Sequence, residues 1–277
     1  GINISYFIEG MIYFGVVGYL AMYFNQYVKL DDVHAGWMVT CLTMGITFSQ
    51  FFFGGLADRW GLRVALFVSI ALMMIGRVTL SAGATLGLGA GWGSPLHLTA
   101  MAGVLFIVLG YGMYQPSVYS ATRQFTNEKT ATMAYAMLYA VMNLGGWLPS
   151  FFSPLRQRFG INGVFWILAA TTGATLLITM ALLSRRTVER ALQSGTTPPA
   201  AGAADAPAKP AVAKPPFSLG RWFSQHPLAD GKFAFFIFCL IPVQTLFAHN
   251  WLTLPVYVER AYAGTWLGKN FEAATNF

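Results

Sequence analysis

Glu9 is the only carboxylate in the apolar stretch ISYFIEGMIYFGVVGYLAMYF, with Tyr6 three residues before it and Tyr13 four after. Removing a carboxylate from water is costly unless it is paired or protonated. A carboxyl in this setting is therefore a candidate for taking up and releasing a proton near neutral pH. On a helix, Tyr6, Glu9 and Tyr13 share one face, and a polar, aromatic face on an otherwise apolar helix should point into a bundle. The alternative is a structural glutamate bonded to a neighbouring helix. Arg77 also lies inside an apolar run. It either serves function there or reaches an interface along its flexible stem.

Other stretches combine polar side chains with residues that shape helices. In LGYGMYQPS (109–117), Gly110 and Gly112 allow close packing and Pro116 removes a backbone hydrogen bond. Gln115 beside that kink either lines a cavity or packs. Tyr139 and Asn143 are four apart and face the same way. In a later apolar run stand Gln244 and His249; His249 either titrates or is a hydrogen-bonded packing residue. The stretch GGLADRWGLR (54–63) is a compact charged turn between two apolar runs. Glycines such as Gly54 and Gly61 let two helix ends approach there. Asp58 can pair with Arg59, Arg63 or the positive N-terminal end of a neighbouring helix.

Long apolar elements are available to position these groups. Of 277 residues, 56% are hydrophobic and 10% charged, and the mean hydropathy is +0.54. Soluble domains are roughly a quarter charged, so the composition specifies a polytopic membrane protein. Because about 20 apolar residues cross the hydrocarbon core, seven helical spans are expected, near 2–26, 33–56, 62–83, 99–122, 131–153, 161–184 and 232–256. Residues 195–216 are rich in proline and alanine and read as a flexible or extended linker. The expected organisation is a six-helix transmembrane bundle over 1–184, a cytoplasmic Pro/Ala-rich linker over 185–231, and the first helix of a second half over 232–277. Opening at Gly1 and stopping at Phe277, the chain is expected to be a fragment at both ends. Residues 1–26 do not fit a signal peptide.

With the start in the cytoplasm, the loops after the second, fourth and sixth spans hold most of the basic residues. These are Arg59 and Arg63, then Arg123 and Lys129, then a run from Arg185 to Lys232. The other side holds Lys29, Arg156, Arg158, Arg260 and Lys269. The positive-inside rule favours this orientation, although Arg156 and Arg158 pull against it. Topology thus accounts for the net charge of +7, and no nucleic-acid partner is expected. Cys41 and Cys239 lie inside apolar runs and imply no disulfide framework. No metal-ligand spacing, phosphate-binding glycine loop or nucleophile–base pair is visible, so neither a cofactor nor an enzymatic activity is expected.

The 54–63 stretch resembles the signature of the major facilitator superfamily, G-x-L-A-D-R-x-G-R-K, between its second and third helices. Gly54, Leu56, Ala57, Asp58, Arg59 and Gly61 match, Arg63 serves for the last basic residue, and Leu62 departs. Within that superfamily the chain is most similar to the proton-dependent oligopeptide transporters. Their first helix carries E-x-x-E-R-F-x-Y-Y-G. Here Glu9, Tyr13 and Gly15 match, while Tyr6, Gly10 and Phe14 replace a glutamate, the arginine and a tyrosine. Their fourth-helix G-N-G-x-F-K-P-N is met by Gly110, Gly112 and Pro116, with Gln115 for the lysine and Ser117 for the asparagine. Their F-Y-x-x-I-N-x-G is followed closely by 138–145, and Gln244 falls where they often have a glutamine.

The resemblance implies an all-α membrane protein of the major facilitator superfamily fold. This chain would hold the six-helix N-terminal half, the linker and the first helix of the C-terminal half. It implies a secondary transporter working by alternating access, with two six-helix halves rocking about a midplane site. Glu9 would be the proton-coupling residue. Tyr6, Tyr13, Gln115, Tyr139, Asn143, Gln244 and His249 would line the substrate cavity. Gly54, Asp58, Arg59, Gly61 and Arg63 would form the cytoplasmic gate. Expected partners are a small-molecule or peptide substrate, protons and the lipid bilayer of a bacterial inner membrane. In the family, the first-helix glutamates and arginine and the fourth-helix lysine take part in proton coupling and hold peptide termini; one of those four remains. Either Glu9 couples alone, or the protein is a facilitator, or it moves something other than an ordinary di- or tripeptide, such as a sugar, nucleoside or drug. A seven-helix receptor and a non-transporting scaffold are the readings from other classes.

Overall fold

A computed structural model describes residues 2–53, 60–126, 128–183 and 230–275. The proline-rich stretch 195–216 and residues 54–59 fall outside them. The chain divides into two units: residues 1–196 with 251–277, and residues 197–250.

The first unit holds α1 (Ile2–Gln26), α2 (Asp32–Phe53), α3 (Leu62–Thr85), α4 (Pro95–Phe125), α5 (Glu128–Trp147) and α6 (Ser153–Leu182). Local chemistry sets their ends. Asp31 precedes α2 and accepts the His34 backbone N–H at 2.9 Å. Ser94 caps α4 through the His97 N–H at 3.1 Å, with Pro95 in the first turn, where its missing N–H costs nothing. Gly61 starts α3 at φ 82°, a conformation glycine reaches without strain. Helix α5 stops at Trp147, short of the expected 153. Leu148–Phe151 is a 3₁₀ turn containing Pro149, which cannot donate to a continuing helix. Helix α6 begins at Ser153 rather than 161, and Gly160 at φ 69° kinks it. Pro116 lies inside a 31-residue α4 that runs on past it.

Helices α1, α2, α3, α4 and α6 are long and apolar enough to cross a membrane. Helix α3 packs on α4 and α6, α1 on α5 and α6, and α2 on α4. Small residues set these crossings, as expected where packing rather than water exclusion holds helices together. A Cβ on Gly76 would lie 2.6 Å from the Gly103 carbonyl oxygen, and one on Gly145 would lie 2.3 Å from that of Phe7.

After α7 (Gly231–Leu252), three short helices close the first unit: α8 (Leu254–Ala261), α9 (Trp266–Lys269) and α10 (Phe271–Thr275). They dock on α1, α2 and α6. Tyr19 donates to Glu272 at 2.8 Å, Arg156 pairs with Glu272, and Arg260 meets both oxygens of Asp32 at 2.5 and 2.8 Å. The Gly91 N–H donates to the Val28 carbonyl at 2.7 Å. The connections after α1 and α3 thus share one end of the unit. Arg156 and Arg260, which count against the positive-inside asymmetry, are each matched there by a carboxylate.

The second unit carries most of α7 (Gly231–Leu252), with Pro242 inside it. Its described side chains include exposed Phe235, Phe236, Phe238, Ile241 and Leu246.

Candidate functional site

Four helices each send one polar side chain to the same buried point: Glu9 from α1, Arg77 from α3, Tyr111 from α4 and Thr172 from α6. Glu9 and Arg77 are each 1% exposed. Arg77 Nη1 donates to Glu9 Oε2 at 3.2 Å and to Thr172 Oγ1 at 2.5 Å. Its Nη2 donates to Glu9 Oε1 and, at 3.2 Å, to the Tyr111 hydroxyl. The Tyr111 hydroxyl in turn donates a hydrogen bond to Glu9 Oε1. Thr172 donates to the Leu168 carbonyl at 2.8 Å, which leaves its lone pairs for the guanidinium. The result is a bidentate pair with both ends supplied by protein, the arrangement that lets opposite charges persist away from water. Only Nε of Arg77 lacks a partner.

Arg77 therefore does not reach an interface; it is a core residue whose counter-charge is Glu9. The geometry is that of the structural alternative for Glu9, a carboxyl bonded to a neighbouring helix, here through Arg77. Sequence reasoning singled out both residues separately and missed their pairing, together with Tyr111 and Thr172. A signal was present. Glu9 and Arg77 are opposite charges in spans whose other charges lie near the ends, and such charges seek each other.

Gly10 explains one departure from the resembled peptide transporters. A Cβ there would lie 2.7 Å from the Met142 carbonyl oxygen, so the crossing of α1 and α5 leaves no room for their arginine. Here a guanidinium arrives from α3 instead.

Aromatic rings surround the pair. Tyr13 meets Tyr111 edge-on at 5.2 Å between centroids, and Tyr114 does so at 6.4 Å. Tyr6 stacks on Tyr114 at 6.2 Å and is buried. Gln115, half-buried, accepts a hydrogen bond from Gln50 Nε2 at 2.6 Å. Tyr139 and Asn143 are not brought to this cluster. Asn143 donates to the Tyr139 carbonyl within α5, and the Tyr139 ring is 68% exposed. His249 is an exposed residue of the second unit, and the Gln244 side chain lies outside the described residues. So do Gly54, Asp58 and Arg59. Of the remaining gate residues, Gly61 opens α3 and Arg63 lies over the Phe67 ring at 5.0 Å. Among the described residues no group of three or more His, Cys, Asp or Glu side chains is placed to hold a metal ion.

The family model of the Major Facilitator Superfamily matches residues 2–268. The chain is 26% identical over 189 residues to an uncharacterized MFS-type transporter of Yersinia enterocolitica, covering 67% of this chain and 44% of that protein. It is 26% identical over 175 residues to the uncharacterized MFS-type transporter YcaD of Escherichia coli, covering 62% and 41%. The chain thus spans less than half the length of these relatives. Among solved structures it is similar to a peptide transporter POT in complex with sulfate, with TM-score 0.59, 21% identity, and 99% and 54% of the two chains covered. It is also similar to a POT family transporter in complex with 5-aminolevulinic acid, with TM-score 0.55, 17% identity, and 94% and 51% covered. At these identities the structural likeness is one of fold.

Proposed function

This chain belongs to the Major Facilitator Superfamily, and from that premise we propose that it is part of a secondary active transporter moving a small solute by proton-coupled alternating access in a bacterial inner membrane. The observation that carries the reading is the Glu9–Arg77 pair. The Glu9 carboxyl ties α1 to Arg77 of α3 and Tyr111 of α4, and Arg77 extends the tie to Thr172 of α6. A proton on Glu9 removes the charge that Arg77 answers, and a buried guanidinium without a counter-charge must find a new acceptor or water. Protonation is thereby linked to a change in how α1 and α3 pack, which is the differential interaction any conformational coupling needs. Residues 185–231 would connect the two halves on the cytoplasmic side. Asp58, Arg59 and Arg63 would hold the gate there.

Short peptides are the first substrate class to test, because the chain shares its fold with peptide transporters. Gly10 and Gln115, uncharged where the resembled family has arginine and lysine, favour a second reading: a carrier of another solute on the same fold.

The test is uptake by the full-length protein in proteoliposomes. A di- and tripeptide mixture is placed outside, with and without an inward proton gradient, and wild type is compared with Glu9→Gln. Gradient-driven accumulation that the variant loses is the expected result. Accumulation that survives in the variant removes Glu9 from coupling. Equilibration indifferent to the gradient means a facilitator.

A further inference from the structure

Helices α8, α9 and α10 form a strap over the end of the first unit at which α1 finishes and α2 and α6 begin. Among the described residues its buried apolar side chains are Pro255, Val258 and Phe271. The other attachments are polar. Arg156 of α6 pairs with Glu272 and donates to the Lys269 carbonyl at 2.7 Å. Ser153 donates to Asn270 at 2.7 Å, and Gln157 to the Lys269 carbonyl at 2.9 Å. Arg260 of the strap pairs with Asp32 of α2. A small, partly open cleft lies against these contacts, lined by Gly15, Gly18 and Tyr19 of α1 and by Pro255 and Glu272 of the strap. A segment held so largely by ion pairs and hydrogen bonds responds to a change of charge at its interface.

Glu259, half-buried on α8, is a further carboxylate at this interface. The groups acting on it are Arg156 of α6, Arg260 of its own helix, Glu272 of α10 and Gln26 of α1. Lys269 of the adjoining α9 enters through its carbonyl. Both arginines attract Glu259, yet each already pairs with another carboxylate. Burial holds the Glu259 carboxyl above the ordinary glutamate range, and Glu272 adds to that against the pull of the two arginines. Ionised, Glu259 repels Glu272 and competes with it for Arg156. Protonated, it leaves Arg156 to Glu272 and becomes a hydrogen-bond donor itself. A raised folded value means that this contribution is present in acid and is lost as pH rises through that value.

We propose that Glu259 is a proton-operated latch: protonated, it lets α8–α10 close on α1 and α6, and ionised, it loosens them. The role of the latch in a transport cycle rests on the transporter reading above. On that reading the strap lies at the end away from the linker, and a proton arriving there from outside closes that end.

The experiment measures the distance between two spin labels on the full-length protein in nanodiscs. One label is at Arg158→Cys on α6 and the other at Ala263→Cys in the strap, both exposed positions, in a background freed of Cys41, Cys239 and any other cysteine. From about pH 5 to about pH 8 the population at the longer distance is expected to rise about tenfold. Glu259→Gln keeps the shape of the protonated side chain and should hold the shorter distance at both pH values. Glu9→Gln should leave the pH response as it is. A distance distribution that ignores pH with Glu259 in place would overturn the latch, and so would a response that survives in Glu259→Gln. Because the first of these outcomes needs no change at Glu259, a variant that fails to fold does not shield the idea. Gradient-driven uptake by the full-length protein in proteoliposomes separates the two readings. A Glu259-dependent response without such uptake keeps the latch and sinks the transporter. Uptake without the response keeps the transporter and sinks the latch.

Discussion

Arg77 and Glu9 are each 1% exposed, whereas Arg260 and Asp32 are 54% and 60% exposed, yet both are arginine forks on a carboxylate. The first pair joins α1 to α3 in the interior; the second joins α8 to the start of α2 at one end of the unit. In water, two unit charges about 4 Å apart attract by only ~1 kcal/mol, and salt screens that further. In the interior the attraction is stronger, but each ion has lost its hydration and must recover it from protein. Tyr111 and Thr172 supply that replacement for the inner pair. Arg156 and Glu272 lie between the extremes at 15% and 2% exposed, with Tyr19 and the Lys269 carbonyl as added partners. The same two side-chain types thus form a buried tie or a loose tether according to what replaces water around them.

The largest expected separation comes from truncating the arginines. Arg77→Gln strands Glu9 in the core and should cost about 3–5 kcal/mol, seen as a large fall in thermal midpoint in detergent. Combining it with Glu9→Gln should recover most of the loss. A single variant as mild as Arg260→Gln would break the comparison. Tyr111→Phe keeps the ring and deletes the hydroxyl bridging the two charges, so about 1.5–3 kcal/mol should go. A silent Tyr111→Phe would mean the bridge is incidental. Arg260→Gln should cost under about 1 kcal/mol, and the difference should shrink as salt is raised. A salt-insensitive loss there would show that the outer pair is not solvated as described.

The smallest effect is one of pH at the end that Arg260 joins. The His34 backbone N–H, and then its ring, hold the Asp31 carboxyl below the usual aspartate range. A depressed folded value means the contribution is present above the unfolded value, near about 3.9, and is lost as pH falls through the folded one. Half-buried Glu259 runs the other way. Burial raises it, so its contribution is present at low pH and fades as pH rises through its folded value. Hydrogen exchange should therefore show the start of α2 loosening only in acid, and α8 loosening slightly towards neutrality. The same pH trend in both would remove this assignment.

Membrane insertion, the helical class and the positions of most spans follow from the chain alone, because each depends on hydropathy summed over about 20 consecutive residues. Glu9 was legible for the same reason: one carboxylate in an apolar run stands out without any partner being known. The family resemblance also pointed to a fold that the comparisons bear out. The early stop of α5 and the early start of α6 needed the backbone, since Pro149 and Gly160 each permit more than one path. The 54–63 motif was the most legible feature, but most of it lies outside the described residues. Tertiary structure alone decided that Arg77, 68 positions from Glu9, is its partner. It decided as well that Tyr111 and Thr172 complete the pair and that Gln50 answers Gln115. No local pattern encodes those contacts. They arise from how five helices cross, and the crossings rest on glycines whose missing side chains mean nothing until the facing backbone is in place.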